Sequence, residues 1–396
     1  MNTTMGSVVN NGVYNNMTLN ETRLKDLGLN SNLDFDERFS PEKVLVDQYV
    51  TPVIYAIGFP GNMLSFIVWI QKRMRHSSGC YLAALALDDL IFLCLHVMFE
   101  LQTVWRVHAL DAPGVCEIYP IFYIACQYLS PLLVLGFTVE RYISICHPFK
   151  REKFCTTKRA KIVIACLTAL SLSMSGIQGY IYTYNSNASD CGPRDELVTA
   201  QPINFLIVWN MSIEMFVFLL VPLNVLFLNI LVIRELRRLS RVETQQLHGR
   251  GQKTSATTVM LLAVSFYQII TTLPVTIVYA LYFEFPSGSL EIPVSQVLQD
   301  PQWNRFFTYY LIQTIIKEYG TTHYAFNIFI YMITGKLFRK EVTKLLCMSK
   351  LCAFQFKVPV TEYSSLRSTA RTSLRLPNLW VSVNGHVEKE KDETKV

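Results

Sequence analysis

YLAALALDDLIFLCLHVMFELQTV, residues 81–104, is a run of 24 mostly apolar residues interrupted near its middle by Asp88 and Asp89. It is long enough to cross ~30 Å of hydrocarbon as a helix, which takes ~20 residues. Six further stretches of similar length and hydropathy lie at 50–70, 118–145, 162–182, 204–233, 259–283 and 306–332. Strand-like alternation at ~10-residue spacing is missing, and lipid admits only helices or closed barrels as spans. The expected fold class is therefore an all-α membrane protein, a seven-transmembrane helix bundle. With 51% of its 396 residues hydrophobic and 17% charged, the chain is too apolar for an ordinary soluble protein.

Orientation follows from the basic residues. Lys72, Arg73 and Arg75 follow the first span, and Lys150, Arg151, Lys153, Lys158, Arg159 and Lys161 follow the third. Arg234, Arg237, Arg238, Arg241, Arg250 and Lys253 follow the fifth, and Lys336, Arg339, Lys340 and Lys344 follow the seventh. The opposite connections hold only Arg106, Arg194 and Arg305. Cytoplasmic loops carry the excess of Lys and Arg, so the amino terminus is expected outside and the protein multi-pass in the plasma membrane. The net charge of +6 then reflects topology, and no nucleic-acid partner is implied.

The first forty residues lack a basic start followed by an apolar core, so the first span is expected to serve as its own insertion signal. The glycosylation sequons at Asn2, Asn16, Asn20 and Asn187 all fall on the outer side. Of ten cysteines, Cys116 and Cys191 alone lie in outer segments, where an oxidising compartment favours their pairing as a disulfide. The expected layout is a glycosylated tail over 1–48, a membrane domain over 49–333, an amphipathic helix over 334–347 and a disordered cytoplasmic tail over 348–396.

Ionisable groups at membrane depth are costly and mark functional candidates. Asp89 is grouped with Asn62, Ser130 and Asn327, either as oxygens holding a hydrated sodium ion or as a plain interhelical hydrogen-bond network. Glu140-Arg141-Tyr142 closes the third span. Taken alone it reads either as a solvated helix end or as a switch, in which Arg141 pairs with Glu140 when the bundle is closed and turns to a partner when it opens.

The order of motifs resembles the rhodopsin-like (class A) G-protein-coupled receptors over essentially the whole membrane region. The matches are Gly61-Asn62, Leu85-Ala86 with Asp89, Cys116, Glu140-Arg141-Tyr142, Pro222, Pro274, and Asn327 with Tyr331. Cys146-His147-Pro148 followed by Cys155-Thr156, and Phe338-Arg339-Lys340-Glu341, look like the invertebrate FMRFamide-receptor group. The chain departs from the family in four places. The fourth span has no Trp, the sixth reads Thr271-Thr272-Leu273-Pro274 for Cys-Trp-x-Pro, Ile328 replaces a proline after Asn327, and Ile230 stands where a Tyr often supports the activated Arg. With that phenol gone, Tyr331 is expected to carry more of the Arg141 stabilisation.

The resemblance implies a receptor for an extracellular peptide that activates a heterotrimeric G protein by outward movement of the sixth helix about Pro274, whose ring removes one backbone hydrogen bond. Arg141, Ile145, Pro148 and Phe149 would meet the G protein. The ligand pocket is expected among Glu100, Tyr123, Gln127, Glu214, Tyr279, Tyr282 and Lys317. Tyr123 stands where amine receptors carry an Asp, which disfavours a monoamine. Glu100 and Glu214 would either receive a basic ligand group or serve as structural or edge groups, Lys317 among their partners. An acidic, unusually long outer connection at 284–304 supports a basic ligand weakly.

Leu337, Phe338, Val342, Leu345 and Leu346 recur at helical spacing beside Lys336, Arg339, Lys340 and Lys344, the pattern of a helix on the inner leaflet. Cys347 and Cys352 are candidate palmitoylation sites. Ser364, Ser365, Ser368, Thr369, Thr372 and Ser373 would recruit an arrestin-like protein when phosphorylated. Thr394-Lys395-Val396 could join a PDZ domain. The alternatives are an opsin built on Lys317, a small-molecule chemosensory receptor, and a transporter or channel. The first would give a visible pigment with retinal, and the last ligand-independent ion flux. No catalytic constellation or phosphate loop is present, so no enzyme activity is expected.

Overall fold

The computed structural model describes residues 32–186, 190–194, 197, 205–246, 256–286, 288, 292 and 294–348. The sequons Asn2, Asn16, Asn20 and Asn187, Cys352, the phosphorylation candidates and the terminal Thr394-Lys395-Val396 lie outside these residues.

Spans one to four are Pro41–Trp69, Ser77–Thr103, Val115–Cys146 and Thr157–Ser175. Span three packs against spans two, four, five and six. Span five runs through Phe205–Met215, a π-helical turn Phe216–Leu220 and Val221–Gln246. Span six is Ala256–Ala280, and a final amphipathic helix is Lys336–Met348. Phe338 and Val342 of that last helix are buried and Lys340 is exposed, as its spacing implied.

Three elements differ from the sequence reading. Residues 1–48 are not one polar tail: a helix Asn32–Phe39 precedes span one, which begins at Pro41 with proline in its first turn, where a missing N–H costs nothing. Span seven is not continuous over 306–332. It begins at Pro301, where the Asp300 carboxylate caps the N–H groups of Gln302 and Trp303, and it breaks at Thr322 into Pro301–Thr321 and His323–Thr334. The long connection at 284–304 is correspondingly shorter, since its end is helix. Six helices among the described residues are long and apolar enough to cross a membrane. The seventh is split and carries Arg305, Lys317 and Glu318, so length and hydropathy do not select it.

Span five deviates because Pro222 has no N–H for the carbonyl four residues back, that of Phe218. That oxygen accepts instead from the Thr276 hydroxyl of span six at 3.0 Å, while the Val221 N–H reaches back five residues to Phe216. Thr276→Val is expected to cost about 1–3 kcal/mol by leaving a buried carbonyl unsatisfied, read as a lowered melting temperature of the purified protein.

Two packed cores follow one another along the bundle. One, at the Arg141 end, centres on Trp69, Leu82, Phe137, Tyr331 and Phe338. The other, at the Cys116 end, stacks Phe92, Phe99, Tyr119, Tyr123 and Tyr324. There a two-stranded hairpin, β1 (Tyr182–Asn185) and β2 (Asp190–Pro193), sets Tyr184 opposite Cys191. Cys191 is joined to Cys116 with the Cα atoms 5.5 Å apart, the pairing expected from the sequence. Glu117 accepts from the Tyr184 N–H at 3.0 Å and Asp111 from the Cys191 N–H at 3.0 Å, which fixes the hairpin over the end of span three.

Candidate functional site

Between the hairpin end and the middle of the bundle lies a cavity. Its wall includes Tyr123 and Gln127 of span three, Glu214 and Phe218 of span five, Tyr279 of span six and Lys317 of span seven. Five of the seven expected pocket residues thus converge. The sixth, Glu100, is not in the wall: it is 3% exposed behind Phe99, which is. Tyr282 falls outside the described side chains. Sequence reasoning missed His96, Thr276, Thr321 and Tyr324 of the wall, polar or aromatic residues that helical periodicity alone does not separate from core.

Glu214 brings a carboxylate to one side of the cavity, and among the described residues no cation pairs with it. The Lys317 ammonium, of another lining residue, lies 5.9 Å from the centre of the Phe99 ring. Tyr55 and His96 share a hydrogen bond of 2.6 Å between its hydroxyl and Nδ1. Gly320 lets spans six and seven close on one another here, since a Cβ on it would stand 2.5 Å from Val275.

Over the same end sits a cap that the sequence reading did not anticipate. Phe35 and Phe39 of the helix Asn32–Phe39 pack on Trp303, Phe306 and Phe307 at the start of span seven. Lys43 is 4% exposed and bonds Asp36 at 2.9 Å and Asp47 at 3.2 Å, with the Tyr310 ring 5.3 Å away. Burial outweighs Lys43 in holding the Asp36 carboxyl above its ordinary range. Arg106 adopts a left-handed φ of 56°, and its two guanidinium nitrogens meet Asp34 at 2.8 Å and Glu37 at 2.9 Å. The cap therefore ties the chain before span one to the connection after span two and to span seven.

In mid-bundle, Asn327 donates to Asp89 at 3.0 Å. The other two residues grouped with them are engaged elsewhere. Asn62 donates to the Tyr324 carbonyl at 2.6 Å, and Ser130 accepts from Gln268 of span six at 3.1 Å. Thr271 and Thr272, in place of the expected Cys-Trp pair, bond back to carbonyls of the preceding turn next to Pro274, a pattern that bends helices.

At the far end, Glu140 and Arg141 form neither a solvated helix end nor the direct ion pair of the switch reading. Glu140 accepts from the hydroxyls of Ser77 and Ser78, and Arg141 donates to Ser78, so a serine stands between the charges. Tyr331 does not reach Arg141: it is fully buried between Trp69 and Phe338 with ring centres 5.5 and 5.3 Å away. The expected substitution for the missing phenol is absent from this arrangement. Tyr142 and Ile145 are half-buried, Pro148 is exposed, and Phe149 is entirely exposed on the short helix Pro148–Phe154.

His76 caps span two, its Nδ1 accepting from the Gly79 N–H at 3.1 Å. Burial and the nearby Arg141 lower its pKa from 6.5. Only the neutral ring accepts, so this stabilisation is complete above about pH 6.5 and is lost as pH falls through the lowered value. His76→Asn caps without titrating. It is expected to lose about 1 kcal/mol less stability than wild type between about pH 7 and pH 5 in thermal unfolding of nanodisc samples.

Residues 61–313 match the model of the 7 transmembrane receptor (rhodopsin family). The chain belongs to this family. It is thus a non-enzymatic, multi-pass membrane receptor, as expected. The receptor is 28% identical over 372 residues to the growth hormone secretagogue receptor type 1 of Mustela putorius furo, covering 89% of this chain and 95% of that one. It is 29% identical over 125 residues to the human motilin receptor, 31% of this chain and 30% of that one. Over 182 residues it is 28% identical to human neuromedin-U receptor 2, 44% of this chain and 43% of that one.

Proposed function

We propose that the receptor binds an extracellular peptide in the cavity at its disulfide end and activates a heterotrimeric G protein at its Arg141 end. The observation that carries the ligand class is Glu214, a carboxylate in the cavity wall with which no cation pairs among the described residues. A basic ligand group would supply the missing charge by a charge-assisted hydrogen bond. Relatives named for growth hormone secretagogue, motilin and neuromedin-U recognition support a peptide over an opsin or a small-molecule sensor. The FMRFamide-receptor-like stretches at 146–156 and 338–341 make an amidated neuropeptide our first choice.

In this reading the amino terminus is extracellular, and ligand shifts the population toward a state in which span six swings out about Pro274. Gln268 must then release Ser130, and Asn229, which donates to Ser265 at 2.7 Å, must release span six from span five. Asp89 Oδ1 and Asn62 Oδ1 accept no hydrogen bond among the described residues, which supports a hydrated sodium ion beside Asp89 as part of the same proposal. Palmitoylation at Cys347 and Cys352, arrestin binding and PDZ docking complete it from the sequence. The test is a neuropeptide-library screen in cells carrying a promiscuous G protein. A hit whose potency falls when its basic residue is neutralised, and falls no further in Glu214→Gln, is the expected result; silence across the library removes the reading.

A further inference from the structure

We infer that Arg106 is a spring-loaded latch joining the cap to the hairpin, held shut by two exposed ion pairs against the strain of its own backbone. The latch stands whatever the ligand is. Among the described residues, Arg106 is the one non-glycine with a left-handed φ, 56°. A left-handed residue just past a helix end is ordinarily glycine, which has no Cβ to crowd the backbone. Here, shortly after span two ends at Thr103, it is a long cation. The side chain that incurs the strain is the one that reaches the cap, where its guanidinium meets Asp34 at 2.8 Å and Glu37 at 2.9 Å.

The two attachments of the cap differ in strength. Its seat on span seven is dry: Phe35 and Phe39 are buried against Trp303 and Phe307. Gly288 also closes on that seat, since a Cβ on it would stand 2.3 Å from the Trp303 ring. The latch is wet, with the Arg106 and Glu37 side chains 49% and 47% exposed. Ion pairs so exposed are weak and screened by salt. Left-handed strain in a residue with a Cβ is of similar size and opposes them. The two terms nearly cancel, so the latch opens while the cap stays seated.

What Arg106 releases is a short strap. The Val107 N–H is held by the Leu101 carbonyl at 2.9 Å, and the Leu110 N–H by the Gln102 amide oxygen at 3.1 Å. Gln102 donates in turn to Asp111 at 2.9 Å, and Asp111 accepts from the Cys191 N–H at 3.0 Å. The path from the cap therefore runs through Arg106, the strap and Asp111 into the strand that carries the disulfide. The other anchor of the hairpin, Glu117 on the Tyr184 N–H, lies off that path. Opening the latch loosens the hairpin at Cys191 and spares it at Tyr184.

The test is amide hydrogen exchange of the full-length receptor in nanodiscs, resolved to the Val107, Cys191 and Tyr184 amides and the cap helix. Raising potassium chloride from about 0.1 M to about 1 M shortens the screening length from ~10 Å to ~3 Å. Exchange at Val107 and Cys191 is expected to speed up several-fold, with Tyr184 and the cap helix unchanged. Arg106→Ala keeps the strain and loses both ion pairs, so at low salt the same two amides should exchange at least about tenfold faster. Arg106→Gly loses strain and pairs together, and should exchange close to the wild-type rate without responding to salt. The latch is overturned if wild-type exchange ignores salt, or if Arg106→Gly opens as fast as Arg106→Ala. It is also overturned if the cap helix exchanges along with the strap, since cap and strap would then open as one piece. Should a variant fail to fold, the salt response of wild type decides alone.

Discussion

Lys43→Met is expected to strip the receptor from the cell surface. The Lys43 ammonium is held between Asp36 and Asp47 with side chains no more than 6% exposed, so removing it leaves two carboxylates buried without the cation that pairs them, Asp36 keeping only the Tyr310 hydroxyl at 3.5 Å. Breaking a buried pair from one side costs about 3–5 kcal/mol, a large share of the ~5–15 kcal/mol that keeps a domain folded. The expected reading is a severe loss of surface expression and of melting temperature. Asp36→Asn should be much milder, because Lys43 keeps Asp47. The triple variant Lys43→Met, Asp36→Asn, Asp47→Asn should recover most of the loss, since neutral groups of similar shape carry little desolvation penalty. If Lys43→Met reached the surface at wild-type level, the cap would be a passive covering and not a structural tie.

Arg141→Ala, by contrast, is expected to reach the surface and fail to signal. Its guanidinium donates to Ser78, which also serves Glu140, so truncation frees a serine without stranding a carboxylate. Agonist-stimulated nucleotide exchange should fall to background at matched expression. Arg141→Lys should not rescue, because a compact ammonium lacks the planar fork that spans two acceptors. Normal exchange by Arg141→Ala would place the coupling contact elsewhere.

Much of this architecture is legible in the amino acids. Apolar runs locate the spans, and Cys116, Cys191 and Arg141 are found by where the topology puts them. The residues that escaped share a physical cause. Asp36, Lys43 and Asp47 sit in a polar stretch whose charges look solvated until the fold pairs them, and nothing in the sequence tells that Glu318 meets the Thr51 hydroxyl of span one. Depth groups Asn62 and Ser130 with Asp89, but depth does not say which way an amide or hydroxyl points. The break in span seven has no proline to announce it; it falls at Thr322, whose hydroxyl bonds Tyr319 while accepting from Tyr267 at 2.8 Å.

That break makes span seven two levers joined by a single residue rather than one rod. The upper lever bears Lys317, and the lower bears Asn327 and Tyr331. Torque applied above can be taken up at the joint, so the two arms need not rotate together. The Tyr267 phenol then works as a clutch plate, setting how much of an upper twist the lower arm inherits.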